Sequence, residues 1–367
     1  MMTTKNESKT YSAWILLLGT ALLLGGCAQF GPRLVESGRT DYNKVLQRTG
    51  AREMLLNIVR ARYGDRPLFL DVGSVSTSFS WNQGALANIS GFRSGNPDGA
   101  LEGNLAYQEQ PTITYTPQGG ADFVKNMLTP ADLDTLIFLS NVGWGIDRLL
   151  RLLVNRMGGL PNAPTASGPT PRDAPAYATF KQVANSMRVL QQRQLLAFRY
   201  IQRNGKETPA MIIEEEAGDW PQTRKIRELL KLDPDTNIYP LDTNGARDRP
   251  LVLGIELRSL VESFFFLSHG VHVPTRDTRM GRVMVTRDEK GRAFDWGLVV
   301  GDLFNIRSQA QAPDNARVAV RYRNSWFYVD DSDLASKYTF LLMGQLSALL
   351  AGKTTRITPA LTLPVHR

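Results

Sequence analysis

Hydrophobic and polar positions alternate with a helical period near the start of the chain and with a two-residue period after it. From Thr40 onward, apolar residues recur three and four positions apart, which is the spacing of one buried helix face; they are Leu46, Met54, Leu55, Ile58 and Val59. Gly64-Asp65 and Pro67 predict the end of this helix. Residues 68–117 are rich in Ser, Thr, Gly and aromatic residues. They predict four short strands, at 68–81, 85–92, 101–107 and 111–116.

Two helices and a linker are predicted next. Thr129-Pro130-Ala131-Asp132 has the form of a capping box, in which a hydroxyl caps the helix and proline takes its first position. The helix breaks near Gly143-Trp144-Gly145, and a second helix is predicted over 146–157. Residues 158–175 contain five prolines and show no apolar period, so they predict an exposed linker.

The rest of the chain mixes helices and strands. Helices are predicted at 177–203, 257–268 and 334–350. Strands are predicted at 210–213, 251–255, 298–306 and 317–328, the last as a hairpin that turns at Arg323-Asn324-Ser325. We expect the last helix to cover this hairpin with the stripe Leu334, Tyr338, Leu341, Leu342 and Leu349. The predicted fold class is α+β, with mostly antiparallel strands packed with helices and a helical middle region.

The first 27 residues combine the charge, length and cleavage chemistry of a signal peptide. Lys5 and Lys9 precede an apolar run over 13–24, which is shorter than the about 20 residues of a membrane-spanning helix. The segment Leu24-Gly25-Gly26-Cys27 follows directly. Small residues before a cysteine, with leucine one position earlier, resemble the lipobox of bacterial lipoproteins. We therefore predict a cleavage site formed by Leu24, Gly25 and Gly26, and lipidation of Cys27.

The composition agrees with lipidation at Cys27 and with a location in the cell envelope. Cys27 is the only cysteine, so the mature chain can form no internal disulfide. In bacterial lipoproteins, aspartate directly after the lipidated cysteine is the usual signal for retention in the inner membrane. This chain has Ala28 at that position, so the resemblance implies a location in the outer membrane, on its periplasmic face. The net charge is +8, but no dense basic cluster is interleaved with aromatic residues, so nucleic acid is not an expected partner. The expected partners are the membrane, through the lipid anchor, and other envelope proteins.

Four segments of the chain resemble those of uncharacterised Gram-negative outer-membrane lipoproteins. They are MLLNIVR at 54–60, PTITYTP at 111–117, WFYVDD at 326–331 and PALTLP at 359–364. The resemblance touches both ends of the mature chain. It implies that the protein is a lipoprotein of the outer membrane, and it implies no activity, cofactor or site residue.

Candidate chemistry is sparse. His269-Gly270-Val271-His272 offers two imidazoles, but Gly270 and Pro274 argue against one helical face, so we interpret both as loop histidines. Asp330-Asp331-Ser332-Asp333 precedes a periodic helix, where such residues act as caps. The sequence contains no phosphate-binding glycine loop and no nucleophile elbow. We predict no catalytic residue, no metal site and no cofactor, while hydrolysis by scattered acids stays open.

Two segments have patterns typical of interactions. In the predicted helix over 177–203, residues three and four apart resemble a coiled-coil seam with one polar core position; they are Phe180, Val183, Met187, Leu190, Gln194, Ala197 and Ile201. A helix packed on its own domain has the same spacing, and we favour that interpretation. The strands of 68–117 would suit a shared membrane pore. However, Arg93, Glu102 and Glu109 favour a sheet with one solvated face.

The sequence thus predicts a lipid-anchored periplasmic protein of the outer membrane that acts as a scaffold or accessory subunit of an envelope assembly. A non-enzymatic role is favoured. Two alternatives stay open: a hydrolase of envelope glycan or lipid, and an oligomeric pore-forming lipoprotein that uses the strands in 68–117. The expected organisation is a signal peptide (1–26), a tether (27–39), a helix with a four-stranded β segment and a helix pair (40–157), a Pro/Gly-rich linker (158–175), and a long helix followed by an α+β domain (176–367).

Overall fold

The computed structural model describes residues 30–68, 70–90, 98–117, 121–169, 171–243 and 250–352. The predicted lipobox, from Leu24 to Cys27, lies outside these residues. The described residues form helices together with sheets whose strands pair mostly antiparallel. This confirms the predicted α+β fold class.

The elements are numbered in chain order. The helices are α1 (Phe30–Tyr63), α2 (Ala121–Leu128), α3 (Leu133–Asn141), α4 (Ile146–Leu153), α5 (Ala178–Gln192), α6 (Pro221–Leu230), α7 (Leu260–Ser268), α8 (Thr275–Arg279), α9 (Gly297–Val300) and α10 (Leu334–Gly352). The strands are β1 (Leu70–Ser90), β2 (Asp98–Pro117), β3 (Val154–Met157), β4 (Leu160–Pro161), β5 (Leu196–Arg203), β6 (Lys206–Ile213), β7 (Ile238–Asp242), β8 (Leu253–Leu257), β9 (Arg307–Gln309), β10 (Ala316–Tyr322) and β11 (Ser325–Asp330).

The described strands form three sheets. One contains β1 and β2, a second has the order β10-β11-β9, and a third has the order β4-β3-β8-β7-β6-β5. Within the six-stranded sheet, β7 and β8 pair in parallel and the other neighbours are antiparallel. Most of the helices contribute buried apolar residues to one hydrophobic core that also contains residues of this sheet.

Helix α1 contains both the predicted helix and part of the predicted tether. The described residues of the tether, from Phe30, are already helical. Pro32 is compatible with this because the first turn of a helix needs no backbone donor at that position. Leu55 and Ile58 are fully buried, as their spacing predicted. The helix ends before Gly64, whose φ of +74° is a conformation that favours glycine.

The four predicted strands of 68–117 are two long strands. β1 and β2 pair antiparallel along their whole length, from Leu70 opposite Pro117 to Ser90 opposite Asp98. The polar residues between the predicted strands do not interrupt the ladder, because a side chain's polarity does not alter the backbone hydrogen bonds of a strand. The prediction of four strands was therefore wrong, and the segment 91–97 lies outside the described residues.

Residues 158–175, predicted as an exposed linker, contribute a short stretch, from Asn162 to Ser167, to the core. Ala163 and Ala166 are fully buried, and Asn162 and Ser167 are nearly so. The Asn162 side chain donates a hydrogen bond of 2.6 Å to the backbone oxygen of Val154. Proline and small residues indicate a loop, but they also allow a segment to lie close to other backbone. The prediction of an exposed linker was wrong, and the chain on both sides contributes to one core.

The predicted helix over 177–203 is a helix followed by a strand. α5 ends at Gln192, and β5 begins at Leu196. Gln194, between them, has a φ of +61°, which a right-handed helix does not accommodate. The aromatic and β-branched residues that follow favour a strand. The coiled-coil seam was therefore wrong: Phe180, Val183, Met187 and Leu190 lie in α5 and are buried in the core, whereas Gln194, Ala197 and Ile201 follow the helix.

Two shorter predictions also differ from the structure. The helix predicted over 146–157 ends at Leu153, and its last four residues form β3, which pairs with β8. The strand predicted over 298–306 is instead α9 and a turn, in which the Val300 nitrogen donates to the Trp296 oxygen at 3.0 Å. Short apolar runs do not distinguish a buried helix from a buried strand, because both are apolar throughout.

The C-terminal hairpin has the predicted turn. Tyr322 pairs with Ser325, so Arg323 and Asn324 form the turn. Helix α1 packs along β10, and the ring of Tyr63, at the end of α1, lies 5.3 Å from the Tyr322 ring in an edge-on arrangement. The hairpin is therefore covered partly by α1, which the sequence did not indicate.

Helix α10 buries a different face from the predicted one. Asp333 accepts a hydrogen bond of 3.1 Å from the backbone nitrogen of Ser336, so the predicted cap is confirmed. Leu342 and Met343 are fully buried, but Leu341 is 53% exposed. The predicted stripe was confirmed at Leu342 and wrong at its other four positions, because α10 is apolar on most sides and spacing alone does not show which side is covered.

Candidate functional site

The two histidines of the 269–272 segment do not share a site. His269 is buried, and its ring stacks on Trp296 with the centroids 3.7 Å apart. His272 is exposed, and its backbone nitrogen donates to the Ile306 oxygen. Among the residues that the structure describes, no three His, Cys, Asp or Glu side chains lie close enough to hold one metal ion.

The acidic run before α10 stabilises the local chain. Asp330 accepts hydrogen bonds from the Ser332 hydroxyl at 2.6 Å and from its backbone nitrogen at 2.9 Å. It also forms an ion pair of 2.9 Å with Arg307. The hydrogen bonds from Ser332, aided by Arg307, hold the pKa of Asp330 below its usual value. The carboxylates are thus engaged in turns and caps, as predicted.

The surface of the described residues includes two open depressions. One of about 940 Å³, at α6 and the loop after it, is lined by Arg224, Glu228 and Asp235, among others. The other, of about 420 Å³, lies between α3 and β5 and is lined partly by Gln191 and Phe198. Arg224, Glu228 and Asp235 are exposed to solvent, which is typical of ordinary protein surface.

A buried arginine that the sequence did not single out connects several segments. Arg258, between β8 and α7, is fully buried. Its guanidinium donates to the Arg151 backbone oxygen at 2.7 Å and to the Ser167 hydroxyl at 2.8 Å. It also donates to the Asn162 backbone oxygen and lies 4.1 Å from the centroid of the Phe266 ring. Burial lowers the pKa of Arg258 to about 9, so the side chain stays cationic at neutral pH and joins α4 to the 158–175 segment.

Helix α10 carries an exposed row that is mostly apolar, which we name the α10 face. Its residues are Leu334 (58% exposed), Tyr338 (51%), Leu341 (53%), Gln345 and Leu349 (39%). Lys337 is the one charged residue in the α10 sequence. Helix α2 contacts α10, and there Val124 and Leu128 are also exposed. The exposed side chains of α10 are therefore mostly apolar, and α2 adds Val124 and Leu128 on either side of the exposed Lys125.

Polar groups beside the α10 face are already bonded within the molecule. Trp144 donates a hydrogen bond of 2.9 Å to the Gln345 side chain. The Arg148 guanidinium lies 6.0 Å from the centroid of the Tyr338 ring and donates to the Thr339 hydroxyl at 2.7 Å. A partner at this face would meet mainly apolar atoms.

The β1–β2 hairpin is a second candidate surface. Among the described strands, β1 and β2 pair only with each other. Val75 is opposite Ile113, and Trp81 is opposite Tyr107; these positions share one face of the hairpin, because alternate positions of paired strands lie on the same side. The intervening positions are mainly Ser, Thr, Asn and Gln.

No family model matches this chain, and neither a curated protein nor a solved structure matches it. In the part of the chain that the structure describes, no helix has the length and apolar character needed to cross a membrane.

We expect His269 to make the protein less stable in mild acid. Burial, followed by repulsion from Arg62, lowers the pKa of His269 to about 3, against about 6.5 for an unperturbed histidine. Below about pH 6.5 the unfolded chain binds a proton that the folded protein does not, so the free energy of unfolding falls by up to about 1.4 kcal/mol per pH unit. Urea unfolding should show a loss of about 2 kcal/mol between pH 7.5 and about pH 5.

The variant His269→Phe provides the control for this prediction. Phenylalanine keeps an aromatic ring beside Trp296 and removes the titrating group. Its free energy of unfolding should change much less over the same pH range, since the carboxylates with lowered pKa values act mainly in stronger acid. An equal acid loss in the natural protein and in this variant would contradict the assignment to His269.

Proposed function

We propose that this chain is a lipid-anchored periplasmic protein of the outer membrane that acts as a scaffold or accessory subunit of an envelope assembly. The anchor is lipid on Cys27 after cleavage behind Gly26, which the signal sequence supports. The α10 face is the observation that carries the assembly role.

The exposed apolar row is unfavourable for a protein that works alone. Leu334, Tyr338 and Leu341 are each more than half exposed. Monomeric proteins rarely expose contiguous apolar patches larger than a few hundred Å², and burial of apolar surface contributes about 25 cal/mol per Å². A partner that covers the α10 face would gain this free energy without having to break strong polar contacts.

The composition of the α10 face favours a protein partner over lipid headgroups. Helices that lie on a membrane surface usually carry lysine and arginine beside their apolar face. α10 contains only Lys337, which forms an ion pair of 2.8 Å with Asp331. An apolar, charge-poor centre with an aromatic residue such as Tyr338 is instead typical of protein interfaces.

Site-specific photocrosslinking in intact cells tests the assembly role. A benzophenone amino acid in place of Leu341 should form a discrete adduct with another protein, because this position is 53% exposed within the α10 face. Met280 is a matched control, since it is apolar and 54% exposed but lies outside that face; the same substitution there should yield no such adduct. If Leu341 yields only lipid adducts or none, the proposal is wrong.

The anchor gives a separate prediction. Cys27→Ser should abolish lipidation, because serine lacks the thiol that accepts the lipid, and it should shift the chain from the membrane to soluble or uncleaved material. Cell fractionation at high salt and the mass of the mature N-terminus measure this. A variant that is still cleaved after Gly26 and still sediments with outer membranes would disprove the lipobox assignment.

A further inference from the structure

The β1–β2 hairpin is long relative to the rest of the fold. Its strands contain 21 and 20 residues, and at about 3.3 Å per residue each extends over about 65 Å. A strand that crosses a membrane needs only about 9–11 residues. One half of the hairpin is therefore long enough to span a bilayer, while the other half connects it to α1 and α2.

The hairpin also leaves both of its outer edges without a described partner strand. An isolated two-stranded sheet is marginally stable in water, and an unpaired edge is a template for another strand. In lipid, the backbone groups of an open edge find no water, so every edge must pair. Further strands are therefore needed, and further copies of the same hairpin can supply them.

One row of the distal half, which we define as residues 81–90 and 98–107, has the composition of a lipid-facing band. It begins with Trp81 opposite Tyr107 and ends with Ile89 opposite Gly99. The positions between them are Gln83, Ala85, Ala87, Leu101, Gly103 and Leu105. This row contains no charged residue. An aromatic pair at one end, followed by apolar and small residues, matches the aromatic girdle and apolar band of membrane strands.

The opposite row of the distal half is polar or small at most positions. It consists of Asn82, Gly84, Leu86, Asn88, Ser90, Asp98, Ala100, Glu102, Asn104 and Ala106. Both charged residues of the distal half, Asp98 and Glu102, belong to this row. Glu109 and Pro111, which are unfavourable in a lipid-facing or fully paired strand, lie in the proximal half. The alternation therefore divides the distal half into one row suited to lipid and one suited to water.

We infer that the distal half of the hairpin inserts into the outer membrane, and that hairpins from several copies of this chain pair edge to edge around an aqueous pore. The apolar row contacts lipid hydrocarbon, and the polar row lines the pore. This inference rests on the proposed function, since the lipid anchor brings the hairpin to the membrane and the assembly contains the further copies.

Cysteine scanning of the full-length lipidated protein in membranes tests the insertion. The natural chain contains only Cys27, which the lipid occupies, so an introduced cysteine is the only free thiol. Ala100→Cys and Asn104→Cys, in the polar row, should react with a charged, membrane-impermeant maleimide at least about tenfold faster than Leu101→Cys and Leu105→Cys, in the apolar row. Equal labelling of both rows would overturn the insertion.

Ion conduction tests the pore. The purified lipidated protein in planar bilayers should produce discrete conductance steps that favour cations, because copies of Glu102 line the pore. Glu102→Gln should lower the cation-to-anion permeability ratio severalfold. The matched variant Glu109→Gln, in the proximal half, should leave the ratio unchanged. A lack of conductance, or an equal response to both variants, would overturn the pore.

Crosslinking at Leu341 and cysteine labelling of the hairpin test the assembly role and the pore separately. If Leu341 crosslinks to a protein while both rows of the hairpin label equally, the pore is wrong and the assembly role stands. If Leu341 forms no protein adduct, the assembly role itself fails. Thermal unfolding of each cysteine and glutamine variant should match that of the natural protein, because the hairpin pairs with no described strand of the core; this excludes misfolding as the cause of any change.

Discussion

Arg258→Met should lower the free energy of unfolding by about 3–5 kcal/mol. Arg258 is fully buried and donates to the backbone oxygens of Arg151 at 2.7 Å and Leu152 at 3.2 Å. Methionine fills a similar volume but donates no hydrogen bond, so these oxygens and that of Asn162 would lose a partner where water does not reach them. Urea unfolding followed by tryptophan fluorescence measures the loss.

Two further variants make this prediction specific. Arg321 is exposed on β10, and Arg321→Met should cost less than about 0.5 kcal/mol. Arg258→Lys should lie between the two, because lysine keeps the charge but lacks the planar fork that reaches several acceptors. If Arg258→Met proved as stable as Arg321→Met, the guanidinium would not be what holds the 158–175 segment to α4.

Leu342→Ala should lower the free energy of unfolding by about 2–5 kcal/mol, whereas Leu341→Ala should cost less than about 1 kcal/mol. Leu342 is fully buried, so its truncation removes packed methyl groups and leaves a cavity. Leu341, the next residue, is 53% exposed and loses little contact in the isolated protein. Thermal or urea unfolding of the two variants measures the difference.

The same pair of variants links stability to assembly. Leu341→Ala should leave the isolated protein folded and weaken its association with the partner at the α10 face, because it removes apolar surface from that face. Co-purification from gently solubilised membranes measures the association. Equal destabilisation of the isolated protein by both substitutions would show that Leu341 packs within the core, and it would remove the α10 face as a candidate interface.

Several local features were predictable because they depend on few neighbouring residues. Gly64 ends α1 through its own backbone conformation, and Asp333 caps α10 through a bond to a nitrogen three residues later. The turn at Arg323 and Asn324 likewise joins two strands whose alternation is plain in the sequence. Caps and tight turns involve groups within one helical turn or hairpin loop, so local sequence carries the information.

The candidate surfaces were predictable only in part. Alternation over 68–117 indicated strands, but the number of strands and the position of Trp81 opposite Tyr107 come from the pairing register. Glu102 and Glu109 argued against a membrane role when they were considered together. The register places them in different rows and in different halves of the hairpin. Glu102 therefore belongs to the row suited to water, and Glu109 lies outside the half that we infer to enter the membrane.

The sequence by itself determined the α+β class and several elements, among them α1, α7, α10 and the β10–β11 hairpin, because hydrophobic period, caps and turn residues act over short distances. Only the tertiary structure decided which apolar positions are covered. Ala163 lies in a proline-rich segment that has the composition of a linker, yet it is fully buried, while Leu341 lies in an apolar helix and is exposed. Burial depends on which distant elements reach a given face, and Arg258 is buried because segments far apart in the sequence supply its hydrogen-bond acceptors. A hydrophobic period shows that a face is suitable for burial, whereas contacts between distant segments determine whether it is buried.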